Sequence, residues 1–188
     1  SLRFRSFAAA ILTLVIFIPL TVITLEKAFD NSLSQSMQQQ LRVQSLTLIS
    51  EFEFEENRAV MPELLFNDQL NIPDSGLYAF VSNDEKIVWK SQSTLNWQQQ
   101  PEFVSPKIGE EAFIEDFNLL NNYFLFAYTA EFAAQQGYQP VSFFILQDKH
   151  IYNAEKDKFA NTLWYWLGLI ALLLLILLLA SLNAALLP

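Results

Sequence analysis

Cysteine is absent from this chain. Its absence excludes a disulfide framework and thiolate chemistry, and it leaves the redox compartment unreadable. Histidine occurs once, as His150. With no Ser or Cys nucleophile motif near it, a single imidazole makes no catalytic constellation, so an exposed or structural role is its expected one. It retains the ability to titrate in an acidified compartment. Glycine is scarce, with four in 188 residues. Basic residues are few as well: 11 Lys and Arg stand against 20 Asp and Glu. That balance argues against nucleic acid, whose phosphates select Lys and Arg. It favours cationic partners such as divalent metals, basic peptides and polyamines.

Charge itself is missing from two long stretches. Leu163–Leu187 holds 25 residues without a charged side chain. As a helix it would reach about 37 Å at 1.5 Å per residue, more than the ~30 Å hydrocarbon core of a bilayer. Trp164, Tyr165 and Trp166 stand at its leading edge, where amphipathic rings favour the lipid–water boundary. Phe7–Leu25 is a second run, of 19 uncharged residues, preceded by Arg3 and Arg5. A cleaved signal peptide has the same positive start. This apolar run is longer than the usual ~7–15 residues, however, and no small-x-small cleavage pattern follows it. An uncleaved spanning helix is therefore expected, with Pro19 tolerated inside it. Arg3 and Arg5 place the N-terminus in the cytoplasm by the positive-inside rule, and the segment between the two helices outside. In a Gram-negative cell that means an inner-membrane protein with a periplasmic domain.

All 20 acidic residues and nine of the 11 basic ones fall in that middle segment, a formal charge of −11. The expected boundaries are a cytoplasmic start and first membrane helix at 1–25, an extracytoplasmic domain at 26–162, and a second membrane helix at 163–187. The domain length of about 135 residues suits one compact unit. Neither Pro nor Gly interrupts 26–50, and Phe29, Leu33, Met37 and Leu41 recur every fourth residue. This predicts an amphipathic helix continuing out of the membrane. Gln38–Gln40 marks its wet side or a dimer seam. Glu51-Phe52-Glu53-Phe54-Glu55 alternates, as a helix end or as an edge strand with three carboxylates on one face. Leu77–Ser82 and Lys86–Ser91 around Asn83-Asp84-Glu85 predict a β-hairpin. Further strands are expected at Ala112–Phe117, Tyr123–Phe132 and Val141–Gln147, with turns at Asn121-Asn122 and Gly137–Pro140. Ile151–Thr162 has helical spacing and leads into the second membrane helix. Helix, hairpin, three strands and helix define an α+β domain with an antiparallel sheet.

Two acidic groups are candidate metal sites. Glu110, Glu111, Glu115 and Asp116 form the tightest cluster, and oxygen-only donors suit Mg²⁺ or Ca²⁺. Strand alternation puts Glu111 with Glu115, and Glu110 with Asp116. Glu51, Glu53 and Glu55 form the second group. For both, a solvated charged edge is the competing reading. The aromatic residues Tyr78, Phe80, Trp89, Phe124, Phe126, Phe143 and Phe144 are expected to form core, while Trp97, in a loop, is positioned to cover a pocket.

Several of these stretches together resemble the sensor half of the PhoQ-type sensor histidine kinases. They are Ser1-Leu2-Arg3-Phe4-Arg5, the hairpin LYAFVSNDEKIVWKS of residues 77–91 with Trp89, VSFFILQDKHIYN of residues 141–153, and the Trp-Tyr-Trp entry to residues 163–188. The resemblance implies a PAS-like (PDC) fold, a homodimer, contact with membrane lipid, and a cytoplasmic half beyond Pro188. That half would hold HAMP, a phosphoacceptor His and an ATP-binding kinase domain working on a response regulator, so the fragment itself is not expected to be an enzyme. Two features depart from the family. The stretch AAQQGYQ of residues 133–139 carries no carboxylate where enteric members have an acidic run, and the second helix has no amide before Asn183. The expected function is detection of a divalent cation, a cationic peptide or acid. The alternatives are a small-ligand sensor of a chemoreceptor or diguanylate cyclase, and a bitopic assembly protein without signalling.

Overall fold

The structure is a computed structural model that describes residues 2–55, 58–98, 100–119, 121–134 and 137–184. Two long helices, α1 at Leu2–Glu51 and α2 at His150–Ala184, flank the strands. The chain divides into two compact units: residues 1–33 with 151–188, and residues 34–150.

In the first unit α1 and α2 are each long and apolar enough to cross a membrane. Most of their apolar side chains face outward, with Val22 a buried exception at 1% exposure. Leu12, Val15 and Leu172 are each more than 60% exposed, whereas a core helix in water would hide such residues. The polar groups among them satisfy themselves locally. The hydroxyls of Thr13, Thr21 and Thr24 donate to the carbonyls of Ala9, Phe17 and Leu20, four residues back. In lipid, where no water replaces a lost bond, this is how a helix carries threonine. Pro19 lies inside α1 and withholds one amide from the helix ladder. Near the end of this part of α1, the Phe29 ring stacks on Phe159 of α2, with centroids 4.0 Å apart.

The second unit is built on a five-stranded antiparallel sheet, the α+β arrangement expected. Its strands are β3 (Leu77–Asn83), β4 (Lys86–Lys90), β5 (Glu111–Leu119), β6 (Asn121–Ala134) and β7 (Gly137–Asp148), in the order β4-β3-β7-β6-β5. A short ladder of β1 (Glu53–Glu55) and β2 (Arg58–Val60) stands apart. The β3–β4 hairpin turns on Asp84 and Glu85, both at positive φ (48° and 62°), the left-handed pair that a two-residue hairpin turn requires. Ser91 ends the hairpin. Its amide donates to the Ala79 carbonyl and its Oγ accepts the Ala79 amide, both at 2.9 Å.

Alternation along β3, β6 and β7 sends apolar side chains to both faces, which explains the unbroken burial of β3 from Leu77 to Ser82. One face meets the outer part of α1 and the residue after it: Leu41, Ser45 and Leu48 on the helix and Phe52 just beyond it are buried at spacings of four, three and four. There the Phe52 ring packs edge-on to Phe132 and Phe143. The other face carries Tyr78, Phe80, Tyr123, Leu125, Ala127, Phe144 and Leu146 under Trp97 and Phe103 of the long β4–β5 connection. Trp97 thus packs into the core against Tyr78 (4.5 Å) and Phe80 (5.6 Å) instead of covering a pocket. Six of the seven expected core aromatics are buried, and Trp89 is half-buried on the edge strand β4.

The strands outrun their predicted ends, and two expected turns move. Asn121 and Asn122 belong to β6, paired with Leu119 and Asn118, so they are not the turn. Gly137 and Pro140 lie in β7. Pro140 pairs with Glu131 just before β7 acquires β3 as its second neighbour at Val141. A residue without an N–H is tolerated on such a singly paired stretch.

Candidate functional site

The carboxylates of β5 are spread over three partners. Glu111 is paired with Arg42 of α1 at 2.8 Å. Glu115 accepts the hydroxyl of Ser34, which is buried on α1. Asp116 is paired with Lys149, and Glu110 is exposed in the turn where its amide meets the Lys107 carbonyl. The register explains the pattern. Ile114 opposes Leu125 and Phe117 opposes Tyr123, so Glu115 and Asp116 together oppose Phe124. This is a β-bulge, and it breaks the strict alternation that would set Asp116 apart from Glu115. Lys149 Nζ lies 4.6 Å from the centre of the Phe124 ring and reaches Asp116 from there.

The second acidic group divides between elements. Glu51 closes α1, and its Oε1 accepts the Phe66 amide at 3.0 Å, while Oε2 is buried without a hydrogen bond. Glu53 is exposed on β1. Glu55 pairs through its backbone with Arg58, and its side chain lies outside the described residues. Among the described residues no three of Asp, Glu and His come together as metal ligands do. His150 is exposed at the first position of α2, where its amide donates to Asp148 Oδ1 at 2.8 Å. That contact is an Asx-type turn leading into α2.

A polar junction absent from the sequence reading joins α1 to α2 in the first unit. Asp30 Oδ1 accepts the Tyr152 hydroxyl at 2.5 Å and pairs with Lys156 Nζ at 2.7 Å. Tyr152 is buried, and it stands four residues before Lys156, one helical turn away on the same face. That spacing was the available signal; its partner on the other helix was not readable. Asp30→Ala is expected to loosen this helix pair by about 1 kcal/mol. The figure stays small because Lys156 and Asp30 are 40% and 39% exposed. Thermal unfolding of the full chain in detergent micelles measures it, and Asp30→Asn, which keeps an oxygen acceptor for Tyr152, is expected to lose less.

On the loop-covered face of the sheet, burial pushes the Tyr78 phenol above its ordinary value of 10.0, and the neighbouring Tyr123 adds in the same direction. Above pH 10 the unfolded chain ionises this group while the folded chain keeps the proton. The stability it contributes is therefore intact below pH 10 and is lost as pH rises through the higher folded value. Denaturant midpoints at increasing pH, with tyrosinate absorbance alongside, should show one late-titrating tyrosine and a falling midpoint. Tyr78→Phe removes both effects.

No family model matches the chain, and no solved structure matches it. Among curated proteins it is similar to the two-component sensor PhoQ of Pseudomonas aeruginosa, with 30% identity over 94 residues. Those residues are 50% of this chain and 21% of that protein, so the match spans about a fifth of the relative's length. The likeness is distant. It goes with a small antiparallel sheet flanked in sequence by two helices of membrane-spanning length.

Proposed function

We propose that this chain is the sensing and membrane-spanning region of a two-component sensor histidine kinase of the PhoQ type. The observation that carries the proposal is the similarity to PhoQ in a chain whose two membrane-length helices bracket one sheet domain. In this reading the domain is PAS-like (PDC) and periplasmic, with Arg3 and Arg5 holding the N-terminus in the cytoplasm of an inner-membrane protein. The region performs no catalysis. Its parent protein adds HAMP and an ATP-dependent kinase that phosphorylates a response regulator. Two copies associate along the outer side of α1, where Val43 and Leu46 are 62% and 52% exposed.

The stimulus is a divalent cation such as Mg²⁺ or Ca²⁺, a cationic peptide, or acid. Each reduces repulsion between an acidic domain and anionic lipid headgroups, through screening, bridging or protonation. None requires a closed coordination shell, which accords with carboxylates paired separately to Arg42, Ser34 and Lys149. The stimulus biases two packings of the dimer by its differential affinity for them, and the unbroken helices α1 and α2 pass the change across the bilayer.

The test joins the HAMP and kinase modules of a characterised sensor after Pro188 and reconstitutes the fusion in vesicles containing anionic lipid. Autophosphorylation is followed against Mg²⁺ at constant ionic strength, against a basic peptide, and against pH. A change of several-fold with at least one stimulus is expected. A flat response to all three would sink the reading. Separately, alkaline phosphatase inserted at the Asp84–Glu85 turn should be active in cells, and an inactive fusion would overturn the periplasmic orientation.

A further inference from the structure

Three hydroxyl residues lie in one row across three neighbouring strands of the sheet. Ser82 of β3 pairs with Ser142 of β7, and Ser142 pairs with Thr129 of β6. All three are buried, at 5%, 4% and 2% exposure. They continue the face whose next rows inward are Phe80, Phe144 and Ala127, then Tyr78, Leu146 and Leu125. Those two rows are sealed by aromatic rings. The hydroxyl row instead borders a cleft of about 380 Å³, covered by Ser105–Ile108. Its cover is anchored on Thr129, whose carbonyl accepts the Gly109 amide at 2.8 Å and whose Oγ1 donates to the Pro106 carbonyl at 2.9 Å.

Proton counting shows what the row offers. Thr129 has one hydroxyl hydrogen, and Pro106 takes it. The 2.8 Å contact between Thr129 Oγ1 and Ser142 Oγ is therefore donated by Ser142. Ser142 keeps acceptor capacity toward the cleft. Ser82 Oγ makes no hydrogen bond among the described residues, so it keeps a donor and its lone pairs. Although the residue is 5% exposed, its hydroxyl opens onto the cleft, where a ligand can take the place of water. At the mouth stand Asp84 and Glu85 of the hairpin turn and Lys107 of the cover, none in an ion pair among the described residues. Apolar contact comes from Pro106, Ile108 and Pro140.

We propose that this cleft binds a small organic zwitterion with a short aliphatic body. Its carboxylate meets Lys107 and the Ser82 hydroxyl, its ammonium meets Asp84, Glu85 and the acceptor side of Ser142, and its aliphatic part packs on the prolines. Charges of both signs at one mouth, with an unpartnered hydroxyl facing the cleft behind them, select such a ligand over a simple anion or cation. The volume is at the small end of ligand pockets, as an amino-acid-sized molecule requires. As a second input to a sensing region, the site rests on the function proposed above, but binding is measured without any kinase.

The experiment titrates L-valine into the full chain in detergent micelles by calorimetry, with isovalerate and isobutylamine as probes lacking one charge each. Saturable one-to-one binding of L-valine below about 10 mM is expected, with both single-charge probes weaker by about tenfold or more. Lys107→Gln, at an exposed position, and Ser82→Ala should each weaken L-valine about tenfold. No saturation by L-valine or by L-alanine below about 10 mM overturns the site. So does equal binding of isobutylamine or isovalerate, or binding that neither substitution alters. Binding without any effect on the kinase fusion would leave the site standing and count against the sensing role alone.

Discussion

Phe144→Ala is expected to destabilise the sheet unit by about 3–5 kcal/mol, the range for removing a buried aromatic ring. Phe144 is 0% exposed and lies on the middle strand β7. Its ring stacks on Phe103 at 4.3 Å with an 11° interplanar angle. In register it sits between Phe80 of β3 and Ala127 of β6. Truncation would open a void beneath the β4–β5 connection, which is held to the sheet at Thr129 by the Gly109 amide and the Pro106 carbonyl and so cannot freely follow the lost volume. For a domain whose whole stability is ~5–15 kcal/mol, that loss is a large fraction. Urea unfolding of the full chain in micelles, followed by tryptophan fluorescence, measures it through Trp97. Phe144→Leu is expected to cost far less, because most of the volume remains. A loss below about 1 kcal/mol for the alanine variant would mean that Phe103 and its connection do not pack on the sheet as described.

Gln39→Pro is the second large effect, and it acts through the backbone alone. Gln39 is exposed and lies well inside the 50-residue helix α1. Proline there removes the hydrogen bond to the Gln35 carbonyl and crowds that turn, at a cost of about 3 kcal/mol. Gln39→Ala changes neither and serves as the control. Circular dichroism and thermal unfolding should report a lost turn and a lowered midpoint for the proline variant. In the kinase fusion, the same substitution should abolish the response to stimulus while the alanine variant responds normally. An unchanged response from the proline variant would show that α1 need not be continuous for signalling.

The elements were largely legible in the chain because their signals are local. Charge-free runs of 19 and 25 residues, a four-residue apolar period and a turn of Asn, Asp and Glu each report on their own neighbourhood. Asn121-Asn122 and Gly137–Pro140 were misread for the same reason. Turn-forming residues at strand ends look alike whether the chain reverses at them or beside them, and only pairing with Asn118, Leu119, Glu131 and Ala134 distinguishes the two. The acidic cluster of β5 shows the deeper limit. Four carboxylates within seven residues suggest one site, yet Arg42, Ser34 and Lys149 draw three of them to separate partners from distant parts of the chain. Long-range neighbours also hid the junction at Asp30 and the hydroxyl row of Ser82, Ser142 and Thr129. In sequence each of those residues is unremarkable, and only strand register or helix pairing brings them together.

The bulge in β5 bears on how the length of this strand can vary. Everywhere else in β5, losing one residue inverts the side chains beyond it, exchanging the face toward α1 for the face beneath Trp97. At Glu115–Asp116 the opposite holds, since two residues there face the single partner Phe124. Deleting Asp116 would leave Glu115 opposite Phe124 and Phe117 opposite Tyr123, with every flanking side chain still on its own face. Only the pairing with Lys149 would be lost. Single-residue deletions accumulating in descendants of this chain should therefore fall in β5 at that one position, where the strand already carries a spare residue.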